Sequence, residues 1–90
     1  MLRKGEELLR LVDIKLPQQG ASMTDGDIME WFVEEGDDVE KGQDIVNVEA
    51  AKVNFNIQAP VSGVVKSIKV EEDENVEVGT ILAVIETEEE

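Results

Sequence analysis

The fold is decided by Val48-Glu49-Ala50-Ala51-Lys52-Val53-Asn54-Phe55-Asn56-Ile57. After Lys52, the apolar residues Val53, Phe55, Ile57 and Ala59 alternate with Asn54, Asn56 and Gln58, the period of two expected of a half-buried strand. Before it, Ile45-Val46-Asn47-Val48 predicts another short strand, which places the lysine at the tip of a tight connection. Neither Gly nor Asn occupies the turn centre at Ala51-Lys52, so the primed hairpin turns are not signalled and a type I turn is expected.

The chain is arranged as two similar halves about this tip. A shift of 37 residues brings Gly26 onto Gly63, Val33-Glu34-Glu35 onto Val70-Glu71-Glu72, Val39-Glu40 onto Val76-Glu77, Gly42 onto Gly79 and Glu49 onto Glu86. That makes eight identities in 24 ungapped positions, enough to point to a duplicated supersecondary unit. A second match, Ile14-x-x-Pro17-x-x-Gly20 with Ile57-x-x-Pro60-x-x-Gly63, has an offset of 43, so the first half carries an insertion of six residues between Gly20 and Gly26. Its polar segment, Ala21-Ser22-Met23-Thr24-Asp25, predicts a surface loop that pseudo-twofold symmetry would carry toward the Lys52 turn.

The matched strands, Gly26 to Val33 and Gly63 to Val70, place Ile28/Val65, Trp31/Ile68 and Val33/Val70 at shared apolar positions. The step of three between the first two pairs breaks alternation and predicts a β-bulge in each half. Trp31 and Ile68 are then expected to be buried, with Phe32 and Lys69 pointing outward. Acidic turns follow at Glu34–Asp38 and Glu71–Asn75, then short strands at Val39 and Val76, turns at Gly42 and Gly79, and strands over Ile45–Val48 and Leu82–Ile85. Eight short strands with frequent turns imply an all-β sandwich or flattened barrel. Residues 13–86 form the expected domain. Residues 1–12, with Leu2, Leu8, Leu9 and Leu11 at amphipathic spacing, form an N-terminal extension with helical character, and residues 87–90 an acidic tail or linker start.

Composition narrows function. Ninety residues suit one small domain, able to bury roughly 60% of its unfolded surface. A net charge of −14 argues against binding a phosphate backbone. No apolar run reaches the length of a membrane span and no secretory pattern appears, so a soluble intracellular protein is expected. His, Cys and Tyr are absent, removing the commonest general base and the thiol nucleophile, and leaving Ser22, Ser62 and Ser67 without an imidazole to activate them. The acidic turns lack the spacing of a calcium loop and read as solvated, so no metal site is assigned. A chain with one small core also offers little room for a substrate cleft, and no autonomous catalysis is expected.

Taken in order, several segments resemble the lipoyl domains of the acyltransferase components of 2-oxo acid dehydrogenase complexes. Asp13-Ile14-Lys15-Leu16-Pro17 is similar to their opening strand, and Glu30 to Gly42 to their central segment. Val48-Glu49-Ala50-Ala51-Lys52-Val53 sits where their modified hairpin lies, and Ala59-Pro60-Val61-Ser62-Gly63-Val64-Val65 follows it. The resemblance runs from about Val12 to Glu86. It implies a flattened barrel of two four-stranded antiparallel sheets related by a pseudo-twofold axis, a barrel-sandwich hybrid.

The resemblance also implies a non-catalytic swinging-arm carrier with lipoate in amide linkage on Lys52. Implied partners are a thiamine diphosphate-dependent 2-oxo acid decarboxylase, the acyltransferase core, dihydrolipoyl dehydrogenase and a lipoate ligase. The isolated domain would be a monomer, working in the cytoplasm or in a mitochondrial matrix. Glu49, Ala50, Ala51 and Val53 around the turn, with Ser22, Met23 and Thr24 of the inserted loop, are the residues expected to meet partners. One departure is visible: the family usually has Asp where this chain has Ala51. Glu49-Ala50 also matches the start of the Glu-Ala-Met-Lys-Met motif of biotin carboxyl carrier domains, without either Met. The opening strand and the Gly20–Gly26 loop favour lipoate over biotin. An unmodified barrel-sandwich scaffold, with Lys52 merely solvated, is the alternative from a different class.

Overall fold

A computed structural model describes residues 9–88, and all of its regular structure is β. Eight strands follow in order: β1 (Arg10–Lys15), β2 (Asp25–Trp31), β3 (Asp38–Val39), β4 (Asp44–Ala50), β5 (Val53–Gln58), β6 (Gly63–Ile68), β7 (Asn75–Glu77) and β8 (Ile81–Thr87). They form two four-stranded antiparallel sheets, ordered β1-β8-β6-β3 and β5-β4-β2-β7. The expected pair of sheets is therefore present. Exchanging β1 with β5, β8 with β4, β6 with β2 and β3 with β7 converts one sheet order into the other, as a pseudo-twofold axis requires.

The symmetry extends to single hydrogen bonds. Gly36 N–H donates to Val65 O (2.8 Å) and Val65 N–H to Asp37 O (2.9 Å). At matched positions Asp73 N–H donates to Ile28 O (2.7 Å) and Ile28 N–H to Glu74 O (2.8 Å). The left-handed residues repeat as well: Gly36 (φ +93°) with Asp73 (+73°), and Gly42 (+89°) with Gly79 (+93°). Asp tolerates this region better than most side chains, so the turn survives where its glycine is not duplicated.

The expected bulges are found at matched sites, where the β2–β4 register shifts between Ile28 and Glu30 and the β6–β8 register between Val65 and Ser67. Met29 and Lys66 are the extra residues, and both are exposed. Phe32 and Lys69 point outward as expected, Phe32 with 44% of its surface accessible. Trp31 and Ile68 do share one environment, but it is half-buried rather than buried. They border a groove at the ends of β2 and β6, beyond the centre of the barrel where inward side chains are fully covered.

The core between the sheets is built from matched pairs, including Ile14 with Ile57, Ile28 with Val65, Ile45 with Leu82 and Val48 with Ile85. The insertion adds Met23, which is 8% exposed and packs inward. Burial along β5 follows the expected alternation but fades toward the turn: Ile57 and Ala59 are buried, Phe55 half-buried and Val53 exposed. On the outer face, Asn47, Asn54 and Asn56 exchange side-chain hydrogen bonds of 2.8–3.1 Å, and Asp44 accepts from Asn56 and Gln58.

Two expected boundaries are corrected. Arg10, Leu11 and Val12 belong to β1, paired with Thr87, Glu86 and Ile85, so the domain opens before Asp13 and these three residues are strand rather than helical extension. Thr87 is not tail: it ends β8, is 2% exposed, and its hydroxyl donates to Ser62 O. The amphipathic reading of residues 1–8 lies outside the described residues.

Gly26 and Gly63, the anchors of the sequence repeat, occur where β2 and β6 approach a neighbouring strand most closely. A Cβ on Gly63 would collide with the Glu86 carbonyl, whereas one on Gly26 would come within 2.8 Å of the Val48 Cγ1 methyl. Backbone cannot yield as a side chain can. Gly63→Ala is expected to destabilise by about 2–3 kcal/mol, at the upper end of the overpacking range, and Gly26→Ala by about 1 kcal/mol. Urea melts of the two variants check this ordering.

Candidate functional site

Ala51 and Lys52 form the two-residue connection between β4 and β5, closed by the Ala50–Val53 pair. Lys52 has φ +67° and Ala51 does not have positive φ, a sign pattern that belongs to a type II turn. The expected type I turn is thereby corrected. A type I turn needs negative φ at both central residues, which Lys52 does not have. The chain instead places a lysine in the left-handed region, which costs an ordinary L-residue about 1–2 kcal/mol. Lys52 is exposed, and among the described residues its ammonium has neither a hydrogen-bond nor an ion-pair partner.

A concavity beside the turn is bordered by Lys52, Glu49, Asp25, Asp27 and Asn75. The antiparallel pairing of β2 with β4 sets Asp27 opposite Glu49, and that of β2 with β7 sets Asn75 opposite Asp27. Asn75 Nδ2 donates to Asp25 Oδ2 (2.7 Å) and to Asp27 Oδ1 (2.8 Å), and Thr24 Oγ1 donates to Asp25 Oδ1 (2.8 Å). The Asn75 amide, followed by the Thr24 hydroxyl, holds the Asp25 carboxyl below its ordinary value by favouring the ionised form. The amide clasp thus holds two carboxylates side by side next to the lysine.

The residues expected to meet partners divide into three groups. Glu49, Ala50, Ala51 and Lys52 border the concavity, with Val53 closing the turn. Thr24 reaches the same rim through Asp25, while Ser22 is exposed and not among the concavity's residues. The Met23 side chain points inward rather than to the surface. It is buried, its sulfur accepts the Gln19 N–H (3.3 Å), and Gln18 Nε2 donates to its carbonyl (3.1 Å), so it anchors the loop from inside. Sequence reasoning missed Asp25, Asp27 and Asn75, which looked like solvated turn residues. The signal was available in the repeat: if β3 pairs across to β6, matched β7 must pair across to β2 and carry Asn75 to Asp27.

The start of β1 and the end of β8 lie at the pole opposite this turn. Under the symmetry, the Ala50–Val53 pair corresponds to the Thr87–Arg10 pair, so the point equivalent to Lys52 is where the chain enters and exits the barrel. Connectivity agrees. The start of β4 lies near β3, which pairs with the start of β6, and β6 in turn pairs with Glu86 at the end of β8. An exposed amine on a strained tip, facing away from the Arg10–Thr87 end of the barrel, is the geometry of a presented attachment point.

Comparison with known proteins gives the family. The biotin/lipoyl family model, described as biotin-requiring enzyme, matches residues 12–85. The chain is 38% identical over 72 residues to the dihydrolipoyllysine-residue acetyltransferase component of the acetoin cleaving system of Pseudomonas putida, covering 80% of this chain and 20% of that protein. It is 40% identical over 72 residues to the corresponding component of the Corynebacterium glutamicum pyruvate dehydrogenase complex, covering 80% of this chain and 11% of that protein. The solution structure of the lipoyl domain of the Azotobacter vinelandii 2-oxoglutarate dehydrogenase complex superimposes with a TM-score of 0.70 at 32% identity, covering 88% of this chain and 99% of that one. The chain belongs to the biotin/lipoyl family as a lipoyl domain, a carrier without catalysis of its own. It spans about a fifth or less of the length of these two acyltransferase relatives.

Two measurements test the site. Glycine relieves the left-handed strain and alanine does not, so Lys52→Gly is expected to be more stable than Lys52→Ala by about 1 kcal/mol in urea melts. Equal stabilities would contradict the positive φ. Asn75→Ala is expected to raise the Asp25 pKa toward the ordinary carboxylate value, followed by NMR titration of the side-chain carboxyl. Because the folded-state value is depressed, the stability it contributes is present above the ordinary carboxylate pKa and is lost as pH falls through the folded one. An unchanged Asp25 titration in the variant would show that the Asn75 amide does not hold the carboxyl.

Proposed function

We propose that Lys52 carries lipoate in amide linkage and shuttles acyl groups and electrons between the active sites of a 2-oxo acid dehydrogenase complex. The single observation that carries this reading is the presentation of Lys52, exposed and at φ +67° on a two-residue turn, at the pole away from the chain ends. The fit is chemical as well as geometric. Amide formation needs an amine that a ligase can reach, and the chain itself holds neither Cys nor His to handle an acyl group. When bound, the dithiolane would supply the reactive sulfurs. The protein's part is to hold the tip rigid and, through its tether, keep the arm at high effective concentration near successive active sites.

In this reading the decarboxylase, the acyltransferase core, dihydrolipoyl dehydrogenase and lipoate ligase meet the tip in turn, in the cytoplasm or a mitochondrial matrix. Glu49, Asp25 and Asp27 give each of them an acidic rim beside Lys52, at the position where Ala51 itself offers no charge. Electrostatic matching of that kind governs encounter rate and partner choice more than raw affinity.

Incubation with a lipoate ligase is expected to add one lipoyl group, seen by intact mass, and Lys52→Ala to abolish it. Lys41, Lys66 and Lys69 should remain free by peptide mapping, because each lies outside the turn. Modification that persists in Lys52→Ala would overturn the assignment. A parallel incubation with biotin ligase separates the two cofactors of the family: biotin in place of lipoate on Lys52 would keep the carrier and change its chemistry.

A further inference from the structure

A second concave surface lies on the pseudo-twofold axis, away from the Lys52 turn. It is an open groove of about 750 Å³ whose two walls are matched residue for residue. Trp31 and Ile68 are its half-buried apolar surface, with buried Val33 and Val70 beneath. Glu34, Glu35, Glu71 and Glu72 rim it, and no lysine or arginine lines it among the described residues.

Two of the four carboxylates have structural work. Glu35 Oε2 accepts the Ile68 N–H (2.8 Å), and Glu72 Oε2 accepts the Trp31 N–H (3.0 Å), each bracing the strand of the opposite half. Trp31 Nε1–H donates to Val70 O (3.1 Å), which fixes the indole across the groove. Glu34 and Glu71 are exposed, and among the described residues their carboxylates bond to nothing. Two unengaged carboxylates thus rim one apolar floor, and no hydrogen bond or ion pair among the described residues requires them.

We propose that this groove is a docking surface for a basic segment of a partner protein, one in which arginines or lysines flank one or two apolar residues. The apolar residues would cover Trp31 and Ile68. The flanking cations would meet Glu34 and Glu71 across the axis, and an arginine over the indole would add a cation–π contact. Charge decides against a second copy of this chain, since two surfaces of a −14 protein would bring acidic rims together. Along β4, Val46 pairs with Trp31, four residues or about 13 Å from the pair that closes the Lys52 turn. The groove can therefore be occupied while the tip engages an active site. This surface is independent of what Lys52 carries.

Trp31 is the chain's single tryptophan, so its emission reports occupancy without a label. The probe is a capped Arg-Arg-Leu-Leu-Arg-Arg peptide titrated into the full chain at low ionic strength. Saturable change in Trp31 emission is expected, weakening as salt is raised. The double variant Glu34→Gln/Glu71→Gln is expected to lose at least tenfold in affinity. Glu40→Gln/Glu77→Gln, which removes the same charge from a matched pair outside the groove, is expected to stay within twofold, as is Lys52→Ala. Equal losses in the two glutamine pairs would show attraction to net charge alone and overturn the proposal. So would binding detected by NMR at Asp25, Asp27 and Glu49 with Trp31 emission unchanged, or no binding at all.

Discussion

Everything in this domain depends on a reciprocal exchange of backbone hydrogen bonds between its halves. The turn at Gly36–Asp37 closes on Val65, and the turn at Asp73–Glu74 closes on Ile28. As a result β3 completes the sheet of β6 and β8, while β7 completes that of β2 and β4. Neither half can satisfy its strand edges alone, because each would leave an unpaired row of donors and acceptors. Gly26 and Gly63 permit this interlocking, since a side chain at either would hold the neighbouring strand away. The matched bulges at Met29 and Lys66 then turn each strand so that its end meets the other half.

That rigid frame explains how a strained turn can be kept at the tip. A lysine at positive φ persists only where its surroundings over-determine it, and here β4 and β5 are paired along their length below the turn. The Asn ladder on the outer face adds side-chain bonds to the backbone ones. The strain turns the lysine out to solvent and away from the point where the chain enters and leaves. A carrier gains from both features, because an arm that must visit several sites needs a fixed root and a free end.

The acidic surface is not uniform in what it does. At the tip, Asn75 draws Asp25 and Asp27 together by donating one hydrogen to each, so neighbouring like charges are held by a shared amide. On the axis, Glu35 and Glu72 brace the opposite strand ends, and Glu34 and Glu71 stand free beside them. Net charge alone describes none of this. Bracing carboxylates and unengaged ones stand side by side, in matched pairs, in each half.

The sequence by itself determined the all-β class, the duplication, the two bulges and Lys52 as the tip, because each follows from local period or from self-similarity along the chain. Phe32 and Lys69 could be turned outward from that information alone. Tertiary structure alone decided the rest. The left-handed φ of Lys52 goes with the closure of β4 onto β5 at the Ala50–Val53 pair, which Ala51-Lys52 does not announce. Arg10–Val12 becomes strand because Ile85–Thr87 offers it an edge, although Leu11 also fits the amphipathic spacing of a helix. Met23 goes inward because the core has space beside Gly26 and Leu16, a volume that no local pattern records. Asp25, Asp27 and Asn75 join the site only through pairing between residues about fifty apart, and a cross-half contact has no signature in the residues on either side of it.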